Sequence, residues 1–89
     1  MIECEVEIIN KLGLHARAAK KLVDCSAQFS SRIQLGRNNS LIDAKSIMAV
    51  MMLAAGQGSI LCLRVDGRDE QSAYDALIKL IGERFGELE

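Results

Sequence analysis

The sequence predicts an α+β fold with the element order βαββαβα. Two observations predict it: four segments alternate apolar and polar residues, and three other segments repeat apolar residues at helical spacing. Each strand and each helix therefore has one face to bury, and a four-stranded, mostly antiparallel sheet with three helices on one face buries them all. The 89 residues are expected to form a single domain, residues 1–89, because smaller pieces would bury too little core.

The four predicted strands are recognised by their period of two. The first lies at the N-terminus, where apolar residues alternate with glutamates, so that one face is buried and the other is wet. The second and third flank Asn38-Asn39, which suits a turn because asparagine tolerates positive φ. The predicted strands cover residues 2–9, 32–36, 40–43 and 59–65.

The three predicted helices are recognised by apolar residues three and four positions apart. The first covers residues 16–27, and the second, residues 47–54, has Ser46 as a candidate N-cap. The last is expected to carry Asp69 and Glu70 in its first turn, where negative charge is favourable. Its predicted apolar stripe consists of Ala73, Leu77, Leu80, Ile81 and the aliphatic stem of Arg84.

The composition excludes several classes of function. The net charge of −1 gives no reason to expect a nucleic-acid binder. Aromatic residues make up 3% of the chain, which argues against a stacking platform for single-stranded nucleic acid. Cys4, Cys25 and Cys62 are widely spaced and form no CxxC pair, and no second histidine is present to complete a zinc site. These thiols are expected to be small core residues in a reducing compartment.

The sequence also bears on location. No apolar run approaches the roughly 20 residues that span a bilayer, and the segment MIECE at the N-terminus lacks the basic and apolar regions of a signal peptide. We therefore expect a cytoplasmic protein that does not insert into membranes, with a monomer as the default state.

The only histidine, His15, lies at the start of the first predicted helix, within the segment GLHAR. A neutral imidazole is a good nucleophile near pH 7, because its reference pKa is about 6.5. The free backbone amides of a helix start, here around Ala16 and Ala18, favour an anion, and the guanidinium of Arg17 can bind phosphate oxygens. This segment is therefore predicted to carry a phosphoryl group, although the sequence shows no carboxylate near the histidine to orient its ring.

The charges are unevenly distributed. From Asn10 to Cys25 there are four cations and one anion, a net charge of +3, whereas from Arg64 to the end there are four cations and seven anions, a net charge of −3. The basic segment either attracts acidic partners or anions or is simply a solvated helix face.

Residues 10–19, NKLGLHARAA, resemble the active-site signature of the HPr family, the phosphocarriers of the bacterial phosphoenolpyruvate-dependent phosphotransferase system. Residues 44–48, AKSIM, resemble the regulatory-serine segment of that family, and residues 67–70, GRDE, resemble the start of its last helix. The resemblance covers nearly the whole chain and implies an HPr-like open-faced β-sandwich.

The resemblance implies that His15 accepts a phosphoryl group from the phosphohistidine of enzyme I and passes it to a histidine of an enzyme IIA domain. Arg17 would be the anion partner of the phosphate, and the reacting nitrogen would be Nδ1. Such a protein is a covalent carrier rather than a stand-alone enzyme, and no cofactor or metal is implied.

The family docks its partners with the first two helices together. Carried over to this sequence, the docking residues are expected to be Lys20 and Lys21 of the first helix and Ile47, Met48 and Met51 of the second. The apolar residues are expected to be exposed because the short second helix cannot bury all of its large apolar side chains. One position departs from the family: the proline that usually follows the arginine is here Ala18. We expect the helix to persist with less conformational restriction at its start.

Ser46 opens an alternative interpretation. In family members served by an HPr kinase the equivalent serine is phosphorylated, and a regulatory HPr paralogue would act mainly through Ser46 and its regulatory partners. Such paralogues usually lack the active-site histidine, which is present here. A second alternative, a ferredoxin-like module that binds metal or RNA, would require a CxxC pair or exposed aromatic residues, which the chain lacks.

Overall fold

The alternating and helical segments fold in the predicted order. The computed structural model describes residues 1–37 and 39–89, so the predicted Asn38-Asn39 turn lies partly outside the described residues, and Asn39 is in a turn. The elements are β1 (Ile2–Glu7), α1 (Ala16–Ser26), β2 (Arg32–Arg37), β3 (Ser40–Asp43), α2 (Ile47–Met52), β4 (Ile60–Asp66) and α3 (Glu70–Gly82), followed by a 3-10 turn at Arg84–Gly86.

The four strands form one sheet in the order β1-β4-β2-β3. All three strand pairs are antiparallel, with β1 and β2 on either side of β4. The register places Leu63 of β4 between Cys4 and Leu35, so that side chains pointing to the same face lie beside one another. The predicted α+β architecture is confirmed, and every strand pair is antiparallel.

The helices cover one face of the sheet and the other face remains open. Alternate residues of each long strand, such as Val6, Leu35 and Leu63, join the apolar side chains of the helices in one buried cluster. On the open face, Glu3 pairs with Arg64 at 3.3 Å. The period of two therefore divides the sheet into a packed side and a wet side, as the sequence predicted.

Two boundaries differ from the prediction by two residues, and the other differences at the ends of α1, β2 and β4 are of one residue. The first strand ends at Glu7, two residues early, although Ile8 still exchanges backbone hydrogen bonds with Gly58 and Ser59. Helix α2 ends at Met52 rather than at residue 54, because Ala54 adopts a positive φ of 49° that no helix accommodates.

The C-terminal segment differs more strongly. The stem of Arg84 was expected in the apolar stripe, but Arg84 is exposed and Phe85 is buried instead. Arg84, Phe85 and Gly86 all have positive φ, so the backbone reverses after α3 and returns towards α1. Within the described ranges, no helix combines the length and apolar character needed to cross a bilayer.

Candidate functional site

The loop before α1 is fixed by a glycine. Gly13 has a φ of 68°, and a Cβ at this position would lie 2.5 Å from the carbonyl oxygen of Ala55. The next amide, that of Leu14, donates to this same oxygen at 2.8 Å. Only glycine allows both the positive φ and the close approach, and the contact sets the position of the residue that follows, His15.

His15 is the N-cap of α1. Its backbone is extended, and its Nδ1 accepts a hydrogen bond from the amide of Arg17 at 3.3 Å. The amides of Ala16 and Ala18 have no hydrogen-bond partner in residues 1–37 and 39–89. The ring is therefore half-buried at a helix start, with Nδ1 bonded to the amide of Arg17 in the first turn.

The other ring nitrogen of His15 contacts a carboxylate. Nε2 pairs with Oε2 of Glu87, a residue 72 positions away in the sequence. The side chains of His15 and Glu87 are only 30% and 17% exposed, so the pair is partly shielded from water. The expectation that no carboxylate orients the ring is therefore wrong, because the backbone reversal after α3 brings Glu87 back to α1.

A buried amide holds Glu87 in place. The side chain of Asn10 is fully buried, and its Nδ2 donates both to Oε1 of Glu87 at 2.9 Å and to the carbonyl oxygen of Gly13 at 2.8 Å. The hydrogen bond from Asn10, followed by that from His15, lowers the pKa of Glu87 below its usual value. Glu87 is therefore an ionised acceptor at neutral pH.

Two further contacts tie the C-terminal residues to the site. Lys21 Nζ donates to the carbonyl oxygen of Phe85 at 2.7 Å, and the amide of Lys11 donates to the carbonyl oxygen of Glu89 at 2.8 Å. Together with Arg17 and the tail, these lysines line a cavity beside His15. The opposite net charges of the two segments were the only sequence signal for this contact.

The predicted cations have different environments. Arg17 is exposed, and its guanidinium has no hydrogen-bond or ion-pair partner in the part of the chain that the structure describes. Lys20 pairs with Asp24 on the same helix at 2.7 Å, and Lys21 is bound to the tail. Arg17 is therefore the cation beside His15 that is available to an incoming anion.

Helix α2 presents the predicted apolar surface. Its large side chains are exposed: Ile47 by 38%, Met48 by 71%, Met51 by 44% and Met52 by 79%. The predicted N-cap is confirmed, since Ser46 Oγ accepts a hydrogen bond from the amide of Ala49 at 3.3 Å.

The comparisons with known proteins identify the family. A family model described as "PTS HPr component phosphorylation site" matches residues 2–83. The chain belongs to the HPr family. It is 56% identical over 87 residues to the phosphocarrier protein HPr of Cupriavidus necator, with 98% of each chain covered, and 54% identical over 84 residues to that of Pseudomonas aeruginosa, with 93% of each covered.

A solved HPr structure has the same fold. HPr-C-His from Thermoanaerobacter tengcongensis superposes with a TM-score of 0.95 at 44% sequence identity, and the alignment covers 100% of both chains. Family membership supports a phosphocarrier role in the phosphotransferase system. Ala18, the position expected to depart from the family pattern, is the third residue of α1 and fully buried, and the helix persists from Ala16.

Proposed function

We propose that this HPr-family protein accepts a phosphoryl group on His15 Nδ1 from enzyme I and passes it to an enzyme IIA domain. The observation that carries the proposal is the position of this nitrogen at the start of α1, where it accepts from the amide of Arg17. In the proposed step the Nδ1 lone pair attacks phosphorus and a P–N bond forms. The P–N bond of the donor phosphohistidine breaks, and its electron pair returns to the donor ring.

The start of α1 supplies the proposed phosphate site. When phosphorus replaces the hydrogen bond at Nδ1, the Arg17 amide is released to a phosphate oxygen. The unpaired amides of Ala16 and Ala18 and the free guanidinium of Arg17 add further donors. The backbone amides are fixed by the start of α1 before the reaction, so they stabilise the incoming charge with little reorganisation, and the exposed guanidinium of Arg17 is free to move onto it.

The exposed surface of α2 supports the proposed docking role. Ile47, Met48 and Met51 form an adaptable apolar patch, and Lys20 and Lys21 would add positive charge beside it. A small patch of this kind suits transient contact with successive partners. Lys21 would contribute while bound to the tail, because its exposed ammonium donates only to a backbone carbonyl there.

The same proposal includes a single domain over residues 1–89 and a cytoplasmic location. A carrier that draws its phosphoryl group from phosphoenolpyruvate works where this metabolite is formed, so we assign the protein to the cytoplasm. It would act as a monomer, since one His15 and one α1 start provide a complete site.

The test uses phosphoenolpyruvate, enzyme I and a His15→Asn variant. Asparagine can keep the N-cap hydrogen bond but has no nucleophilic nitrogen. We expect one acid-labile phosphate per wild-type chain and none on the variant, with unchanged circular dichroism. Acid-labile label on His15→Asn would overturn the assignment, and enzyme I from the sugar-uptake and nitrogen-related branches can be compared in the same assay.

A further inference from the structure

We infer that Glu87 is a positioning residue for phosphoryl transfer: its carboxylate holds the ring proton of His15 on Nε2 and leaves the lone pair on Nδ1. This inference rests on the proposed function. It concerns the contact between Glu87 in the C-terminal tail and His15, the N-cap of α1, which lie 72 positions apart in the sequence.

The contacts of the two ring nitrogens of His15 indicate the same tautomer. An ionised carboxylate only accepts hydrogen bonds, so Nε2 facing Glu87 must be the donor. A backbone amide only donates, so Nδ1 facing the amide of Arg17 must be the acceptor. The neutral ring satisfies both contacts only with its proton on Nε2, which makes Nδ1 the nucleophile.

Glu87 is itself held by buried structure. Oε1 accepts from the buried Asn10 amide, which also binds the loop at Gly13, so one side chain fixes both the carboxylate and the loop that precedes His15. The buried ring of Phe85 and the bond from Lys21 to its carbonyl anchor the tail next to this position. The carboxylate is therefore preorganised and does not have to be recruited during the reaction.

The contact has a chemical consequence for both directions of transfer. When the phosphoryl group arrives on Nδ1, the proton stays on Nε2 and the ring becomes a cation. A partly shielded carboxylate stabilises that cation, as carboxylates do for histidines in other sites. Because Glu87 and the incoming phosphate lie on opposite edges of the ring, the carboxylate acts without competing for the phosphate site.

Five charged side chains line the cavity beside the His15 ring. They are Arg17 and Lys21 of α1, Lys11 of the preceding loop, and Glu87 and Glu89 of the tail. Among these, Glu87 alone contacts Nε2, and Glu89 instead pairs with Lys11 at 3.4 Å. Glu89 therefore offers a matched control with the same charge in the same tail.

The experiment compares Glu87→Gln, Glu87→Ala and Glu89→Gln in phosphoryl transfer from enzyme I. The side chain introduced by Glu87→Gln would offer a single oxygen, which the Asn10 amide occupies, so its NH2 group would face Nε2 and favour the wrong tautomer. We expect kcat to fall about 10–100-fold in both Glu87 variants, with KM unchanged because α2 is untouched. Glu89→Gln should retain wild-type kcat.

Two spectroscopic signals separate positioning from a structural role. The Nε2–H proton of His15 should be visible by nitrogen-edited NMR in wild type and Glu89→Gln, and lost in the Glu87 variants. Slow exchange of the Lys11 amide, which donates to Glu89, reports whether the tail remains docked.

The outcomes are distinct from those of the main proposal. Failure of the wild-type chain to accept phosphate would overturn the carrier function itself. Wild-type kcat in Glu87→Gln would overturn the positioning role alone. If both Glu87 variants had a low kcat and the Lys11 amide had also lost its protection from hydrogen exchange, the positioning role would likewise be overturned. Undocking of the tail would then explain the defect.

Discussion

Asp69 accepts two hydrogen bonds from Ser31, one from its amide at 2.9 Å and one from its hydroxyl at 2.5 Å, both at Oδ1. The amide of Ser30 adds a third bond, to Oδ2 at 2.9 Å. The sequence predicted that Asp69 lies in the first turn of α3, but it stands at the N-cap position and makes no side-chain cap. Its carboxylate instead ties the start of α3 to the residues before β2.

This cluster predicts an acid-dependent loss of stability. The hydrogen bonds of Ser31 and Ser30 lower the pKa of Asp69 from 3.8 to about 2. Below pH 3.8 the unfolded chain therefore binds a proton that the folded chain still resists, so protonation favours unfolding. The stabilisation by Asp69 is complete above about pH 4 and is lost as the pH falls towards 2, which urea unfolding across this range measures.

An Asp69→Asn variant provides the control, because asparagine keeps the shape but does not titrate here. We expect the variant to be less stable than wild type at pH 7 and the difference to shrink between about pH 4 and pH 2. A constant difference across that interval would contradict the role assigned to the ionised carboxylate, since other acidic groups titrate equally in both proteins.

The Ala18→Pro substitution tests the departure from the family pattern. The amide of Ala18 has no partner in the described residues, so proline at this first-turn position removes no hydrogen bond. We expect a gain of about 0.4–1 kcal/mol in unfolding free energy, because the unfolded chain loses conformational freedom. Thermal or urea denaturation measures it.

Ala19→Pro is the matched control one position later. Its amide donates to the carbonyl oxygen of His15 at 2.8 Å, so the substitution breaks a helical hydrogen bond and should destabilise by about 3 kcal/mol or more. If Ala18→Pro were equally destabilising, the buried Ala18 side chain rather than the backbone would govern this position.

The fold was predictable because its signals are local. Alternation in β1 and β4, helical spacing in α3 and the N-cap at Ser46 each depend on neighbouring residues, and packing agrees with each local preference. The contact between His15 and Glu87 is different in kind. It depends on a backbone reversal at Arg84 and Phe85, two residue types that rarely adopt positive φ.

The sequence therefore predicted the part of the candidate site around His15 but not the contacts that Asn10 and Glu87 make with it. The segment around His15 and Arg17 carries its chemistry in adjacent residues, which the sequence displays directly. Asn10 gave no comparable signal, because a buried asparagine that bridges a loop and a distant tail has no characteristic spacing. The only sequence signal for a contact between the two segments was their opposite net charge, +3 and −3, and charge alone does not specify which residues pair.

An Arg17→Gln variant tests the proposed phosphate partner. Because the guanidinium has no partner in the described part of the chain, folding stability should change by less than about 0.5 kcal/mol. Transfer from enzyme I should fall about tenfold or more, since hydrogen bonds to charged groups contribute about 1.5–3 kcal/mol. Arg68→Gln, a loss of equal charge at an exposed position between β4 and α3, should leave the transfer rate unchanged. Equal rates in the two variants would contradict the assigned role of Arg17.

We also propose that phosphorylation of Ser46 weakens docking to enzyme I, and a Ser46→Asp variant mimics part of its charge. Aspartate is a good N-cap, so α2 should remain intact, while the new negative charge lies beside Ile47 and Met48 on the proposed docking surface. We expect KM for enzyme I to rise at least about fivefold, the factor for roughly 1 kcal/mol of repulsion. A phosphate, with a charge of about −1.5 to −2, should act more strongly. Ser46→Asn, an equally good cap without charge, should retain the wild-type KM, and acceptance of phosphate by Ser46→Asp at the wild-type rate would refute this regulation.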